Sequence, residues 1–171
     1  LKQAVSEAEL LFISISAQSL RTLTASLQPL LPKNTPVILC MKGIEEATGL
    51  RLTQIVGEFI SAPSAVWVGP GHVQDFLQGI PNCMVIDSQD DTLKQRLVPL
   101  LSSELIRFYY GTDLIGSEVG AAAKNVVGIA AGMLDGLDQS SLKGALMSRG
   151  TREIARLIES MGGNGLSAYG L

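Results

Sequence analysis

A chain of 171 residues that is 46% hydrophobic and only 17% charged can bury a sizeable core, which excludes a disordered or low-complexity protein. Its net charge of −3 offers no basic footprint for nucleic acid or for an anionic membrane surface. No apolar run approaches the roughly 18 residues of a membrane span and no signal peptide is visible, so no membrane insertion is expected and the reading is cytoplasmic.

Residues 9–16 form the first short apolar run of strand length. Helical spacing follows over 17–30, with Leu20, Leu23, Leu27 and Leu30 on one side and Pro29 and Pro32 marking the end. A second buried strand is predicted at 36–41, broken by Lys42-Gly43, and a helix at 52–60. The third strand, 65–68, runs directly into Gly69-Pro70-Gly71-His72. A fourth lies at 83–86, Asp90 and Asp91 open a helix over 92–101, and a fifth strand closes the series at 106–110. Short apolar strands alternating with helices predict an α/β unit with a largely parallel sheet.

The pattern changes after Gly111. A long helix is predicted from Asp113, with Thr112 or Asp113 as its cap, then a second over 140–161 that Gly162-Gly163 stops. The second carries the stripe Leu142, Leu146, Gly150, Ile154, Leu157/Ile158 and Met161. The composition shift divides the chain into 1–112, α/β, and 113–171, all-α. Cys40 and Cys83 sit in apolar runs without metal-ligand spacing and read as reduced core residues. Both ends of the sequence look cut, with Leu1 first and Leu171 last.

Residues four apart share one helix face, and in the long helix that series is Gly116, Gly120, Lys124, Gly128, Gly132. Each interior glycine costs about 1 kcal/mol relative to alanine, in molecules whose whole margin is about 5–15 kcal/mol. Something is therefore expected to approach the backbone closely around Lys124. Either a ligand does so, or another helix does while Lys124 snorkels outward.

Three more positions could carry chemistry, because ligands of open parallel sheets bind beyond the carboxyl ends of the strands. Lys42 follows the second strand, where its ammonium suits a phosphate or other anion, or is simply solvated in a turn. Gly69-Pro70-Gly71 follows the third, where glycine backbone can nest an anion or make an ordinary strand-to-helix turn. His72 is the lone histidine, so any Ser-His-Asp or histidine-metal scheme would have to use it, and no carboxylate stands at metal-site spacing from it. Lys124 is the best candidate for proton transfer, since desolvation in an apolar helix lowers a lysine pKa towards that of a useful base. Asn125 beside it offers a donor and an acceptor for a neighbouring hydroxyl.

These residues carry a resemblance. Cys40-Met41-Lys42-Gly43-Ile44-Glu45, then Gly69-Pro70-Gly71, then the run from Gly120 through Lys124-Asn125 to Gly132, then Ala145-Leu146-Met147-Ser148-Arg149-Gly150 with Glu153, occur in that order. The chain closely resembles, over its whole length, the bacterial glycerol-3-phosphate dehydrogenases that use NAD or NADP. The resemblance implies part of an α/β Rossmann-like parallel sheet followed by the start of an all-α substrate domain. It also implies interconversion of sn-glycerol 3-phosphate and dihydroxyacetone phosphate, a small phosphate substrate, in support of glycerophospholipid synthesis.

The resemblance makes the residue matching Lys124 the proton acceptor and a substrate contact, with Asn125 beside it on the substrate. Lys42 would touch both cofactor and substrate. Gly69 and Gly71 would hold the glycerol phosphate, Val73 would lie against the nicotinamide cofactor, and Ser16 and Gln18 would lie where a strand-end loop passes that cofactor. Two positions depart from the family pattern: Gly71, where Ser, Thr or Cys is common, and Val73, where Ala is usual. The glycine-rich dinucleotide fingerprint is absent from the 171 residues and is expected upstream of Leu1, with the family's Gly-Leu-Gly-Asp and Ser-Arg-Asn-Arg segments beyond Leu171. Two alternatives stay open: a related β-hydroxyacid-type dehydrogenase acting on another small phosphate or hydroxy acid, and a non-catalytic module whose glycine face packs on a partner helix. Cofactor preference and oligomeric state, a homodimer included, are open as well.

Overall fold

A computed structural model of the chain describes residues 1–71 and 73–170; His72 lies outside the described residues. Five strands, β1 (Leu11–Ile13), β2 (Val37–Leu39), β3 (Ser64–Val68), β4 (Asn82–Ser88) and β5 (Ile106–Tyr110), form one sheet whose spatial order equals the chain order. Helix α1 (Lys2–Val5) precedes β1, and α2 (Leu20–Leu27), entered through a 3-10 turn at Ala17–Ser19, leads to β2. Helix α3 (Leu52–Phe59) leads to β3, α4 (Val73–Leu77) to β4 and α5 (Asp91–Leu101) to β5.

Three of the four strand pairings are parallel, as the alternating pattern predicts, but β4 runs antiparallel to β3. The reason is the connection. A five-residue helix such as α4 rises about 7.5 Å, whereas carrying the chain back across a five-residue strand requires about 17 Å. The chain therefore turns and pairs in reverse.

Period-two alternation sorts the core into two faces. Val37, Leu39, Val66, Val68 and Val85 join Leu20, Leu27, Ile55, Val56 and Ala121 on one side. Ile38, Ala65, Met84, Ile86 and Phe108 meet Leu93, Leu97 and Val98 of α5 on the other. Asp90 caps α5 by accepting the Leu93 amide at 3.1 Å. Cys40 is half-buried, and burial pushes its thiol pKa up to about 11. Cys83 is exposed rather than a core residue, because it lies near the start of β4, ahead of the buried run that begins at Met84.

Helix α6 (Leu114–Gly136) begins just past the last strand, and α7 (Ser140–Ser160) folds back along it, followed by a 3-10 segment at Gly165–Tyr169. Gly150 sits so close to α6 that an added Cβ would lie 2.6 Å from Val127, which sets the helix pair's spacing. The expected close approach to the glycine face holds for only half of it. Gly116 is crowded by Asp113 and Ser167, and Gly120 meets Ile158, whereas Gly128 and Gly132 have no described atom within 4 Å of a would-be Cβ. On α7 the predicted stripe is likewise split, with Ile158 fully buried and Leu142 and Leu157 exposed.

Candidate active site

Helix α6 packs on β3 and β4, and it delivers Lys124 to a cleft of about 530 Å³. The walls include Val68 at the carboxyl end of β3, Tyr110 at the end of β5 with Gly111 after it, Gly116 and Gly120 on α6, and Asn164, Ser167 and Tyr169 beyond α7. Lys124 is half-buried, and its pKa is lowered from the ordinary lysine value, first by desolvation and then by the positive charge of Lys42. Among the described residues no carboxylate forms an ion pair with it. Two ammonium groups thus lie in one region, one exposed and one half-buried. Positive charge there favours a nearby anion, and the lowered pKa leaves the amine readier to lose its proton.

Lys42 stands on a firmly seated loop. Gly43 adopts φ 149°, and a Cβ there would lie 2.6 Å from the Ala17 Cβ, so only glycine lets this loop settle on the 3-10 turn. From that turn the Gln18 amide donates to the Ile44 carbonyl and accepts from the Glu46 amide, each at 3.0 Å. The Arg21 guanidinium grips Glu45 through two hydrogen bonds of 2.9 Å. Gln18 is therefore engaged in holding the Lys42 loop, and Ser16 is exposed just before the turn.

Gly69 lies at φ 153°, where an added Cβ would press on the Met84 backbone at 3.0 Å. At Gly71 the space a side chain would fill is taken by the Phe76 ring and the Met84 sulfur, which lie 2.6 and 2.7 Å from a would-be Cβ. Val73, the first residue of α4, is exposed. Asn125 is also exposed and is not among the cleft walls, since it stands about 100° around α6 from Lys124.

Two buried carboxylates that sequence reasoning missed fix α6 to the α/β unit. Asp87 accepts from the Asp113 amide at 3.2 Å and from the Ser117 hydroxyl at 2.7 Å. Glu118 accepts from the Thr53 amide at 2.9 Å and hydroxyl at 2.7 Å, and pairs with the Arg51 guanidinium. The available signal for Glu118 was its charge inside an otherwise apolar, small-residue helix, since a buried charge demands a partner.

A Rossmann-like sheet followed by helices, with a desolvated lysine brought to the carboxyl edge of its strands, is the plan of the two-domain dehydrogenases. Residues 1–94 match the model of the NAD-dependent glycerol-3-phosphate dehydrogenase N-terminus, and residues 113–171 match that of the corresponding C-terminus. The chain belongs to the NAD-dependent glycerol-3-phosphate dehydrogenase family. It is 34% identical to a glycerol-3-phosphate dehydrogenase [NAD(P)+] of Clostridium botulinum, covering all of this chain and 52% of the relative. To that of Bradyrhizobium sp. it is 37% identical over 96% of this chain and 51% of the relative. A crystal structure of glycerol-3-phosphate dehydrogenase from Coxiella burnetii superposes with a TM-score of 0.93 at 26% identity, over the whole of this chain and 53% of that one. The chain spans about half the length of the curated relatives it matches.

Proposed function

We propose that the full-length protein interconverts sn-glycerol 3-phosphate and dihydroxyacetone phosphate with NAD or NADP. The observation that carries this reading is Lys124, half-buried in the cleft by the sheet's carboxyl edge with the Lys42 charge near enough to lower its pKa further, in a chain of this family. A doubly anionic phosphate ester suits a cleft flanked by two ammonium groups. Reduction of its ketone needs a proton delivered to the forming alkoxide, and the reverse reaction needs that proton removed. Lys124, with its lowered pKa, is the group to exchange it.

Lys42 is the point charge for substrate and cofactor, Gly69 and Gly71 supply backbone contacts to the phosphate, and Asn125 orients the substrate once the protein is complete. Lys42, Val73 and Ser16 are the residues of this chain that would meet the cofactor, with Gln18 holding the loop beneath. A bound nicotinamide would supply the hydride. The donor set at the strand ends, an exposed ammonium with backbone amides of a glycine-rich turn, fits the amide-bearing end of such a cofactor. The glycine-rich turn that holds pyrophosphate at a helix N-terminus does not occur in these 171 residues.

The reading divides the chain at 112/113 into the end of a cofactor-binding domain and the start of a substrate domain. It further expects a cytoplasmic enzyme that feeds glycerophospholipid synthesis, with the oligomeric state, a homodimer included, left open. Among the described residues no helix is long and apolar enough to cross a membrane. The test is the purified full-length protein with dihydroxyacetone phosphate and NADH or NADPH. Expected is substrate-dependent loss of the reduced nicotinamide absorbance. The absence of turnover with either cofactor would overturn the proposal.

A further inference from the structure

Lys124 and Lys42 come from different parts of the chain, and something must set the distance between them. Lys42 precedes a tight hairpin: Ile44 bridges Arg51, the Glu45 amide donates to the Leu50 carbonyl at 2.9 Å, and the Gly49 amide to the Glu45 carbonyl at 2.8 Å. Arg51 therefore sits beside the segment that carries Lys42, and it is also the N-cap of α3. Lys124 lies six positions beyond Glu118 on α6, about 9 Å along the axis.

Glu118 joins the two. It is 3% exposed and Arg51 7% exposed, so the pair is withdrawn from water on both sides. Its carboxylate takes the Thr53 amide, an N–H of the first turn of α3, together with the Thr53 hydroxyl and the Arg51 guanidinium. Arg51 donates in turn to the Thr53 hydroxyl at 3.3 Å. Buried ion pairs contribute little net stability, because desolvation cancels most of the attraction, so apolar residues could hold the helix here equally well. What directed hydrogen bonds add is a fixed rotation. Gly116, Gly120 and Ala121 give α6 a smooth surface that determines its rotation only weakly.

We propose that Glu118, through Arg51 and Thr53, is a positioning residue that sets the spacing of Lys124 in the cleft and Lys42 beside it. The inference rests on the function proposed above. Side chains lie on a cylinder of about 5–6 Å radius, so a turn of about 10° moves them by about 1 Å. A misplacement of that size costs up to about 100-fold in rate. Charged and titratable groups around Lys124 are Lys42, from the loop after β2, and Asp113, Tyr110 and Tyr169, which share the cleft. Loosening α6 lets Lys124 move away from Lys42 and into water.

The test is Glu118→Gln in the full-length protein, assayed in both directions with dihydroxyacetone phosphate and glycerol 3-phosphate. Expected is a fall in kcat of about 10- to 100-fold, with the cofactor KM unchanged. The alkaline-rising limb of glycerol 3-phosphate oxidation moves to higher pH. Thr53→Val, which deletes one hydroxyl and keeps the ion pair, shifts both in the same direction by less. It decides alone if Glu118→Gln does not fold. Unchanged kcat and an unmoved limb, with only a lower Tm, overturn the inference and leave the cluster a structural tie. Wild-type protein without turnover overturns the proposed function and this inference together, so the two failures are distinct.

Discussion

The Ser117 hydroxyl of α6 donates to the Asp87 carboxylate at 2.7 Å, and this contact fastens the helix that carries Lys124 to the end of β4. The same carboxylate accepts the Ser88 and Asp113 amides at 2.8 and 3.2 Å, with the Lys94 ammonium 3.8 Å away. Lys94 also donates to the Gly111 carbonyl at 2.9 Å, so the whole crossover from sheet to helix hangs on one buried cluster.

Asp87→Ala leaves the Ser117 hydroxyl, two amides and a half-paired lysine without their acceptor. The expected loss is about 2–5 kcal/mol of unfolding free energy, because each unsatisfied buried group costs about 1–3 kcal/mol. Burial raises the Asp87 carboxyl above the usual range against its hydrogen bonds, so its titration favours the fold most at acid pH and less as pH rises through the native value. Urea denaturation across pH checks both statements. A variant as stable as wild type would show that the crossover is held elsewhere.

Asp113 behaves oppositely. Burial alone would raise its carboxyl, but the Ser167 hydroxyl and the Asn164 amide, at 2.7 and 2.8 Å, outweigh it together with the nearby Gly116 and Ile115 amides, and the pKa is lowered. Its contribution is therefore present above about pH 4 and is lost as pH falls through the native value. The 3-10 segment Gly165–Tyr169 forms part of the cleft wall, so amide exchange there should speed up below about pH 4 before the sheet opens. Asp113→Asn should show that faster exchange at neutral pH. Exchange that is uniform across the chain would refute the local role.

Much of this arrangement is legible in the sequence, and the unread parts have physical causes. The residues of β5 at Ile106–Tyr110, and of α7 to within a residue, follow from periodicity and glycine stops alone. Lys124 is conspicuous because it interrupts a glycine series. The reversed β4 is not legible, because apolar runs carry no direction and only the reach of α4 decides it. Glu118 and Asp87 escape because their partners, Arg51 and Ser117, lie 67 and 30 positions away. Gln18 is the instructive case. Its position at a strand end is legible, but whether its amide meets a ligand or the Ile44 and Glu46 backbone depends on a neighbouring loop.

Gly71→Ser adds a side chain where the Phe76 ring and Met84 sulfur already occupy the space. We expect overpacking to cost about 1–3 kcal/mol. Shortening the ring in Gly71→Ser/Phe76→Leu should recover part of that loss, since the obstruction is the far end of a side chain. Thermal melts of the two variants and of Phe76→Leu close the cycle. Strict additivity of the two changes would mean that Phe76 does not fill the place of the missing side chain.

Lys124 carries the chemical reading, and its two variants separate two roles. A positioned acid or base of tuned pKa contributes about 10²–10⁴-fold in rate, and a fixed positive charge stabilises a developing oxyanion besides. Lys124→Met keeps the length and apolar packing of the side chain while removing both effects. In the full-length protein kcat should fall at least about 100-fold, with cofactor affinity and Tm retained. Lys124→Arg keeps the charge, but a guanidinium does not give up its proton in this range, so it should fail as well. Oxidation of glycerol 3-phosphate needs the neutral amine, so its rate rises with pH through a pKa held below the ordinary lysine value by desolvation and by Lys42. Lys42→Met removes that neighbouring charge and should move the limb to higher pH, whereas Lys42→Arg should leave it in place. If Lys124→Arg restores most of the rate, Lys124 is an electrostatic clamp and the proton moves through another group. If Lys124→Met retains near-normal kcat, the glycine-lined face of α6 is a packing surface, and the chemistry lies outside the cleft.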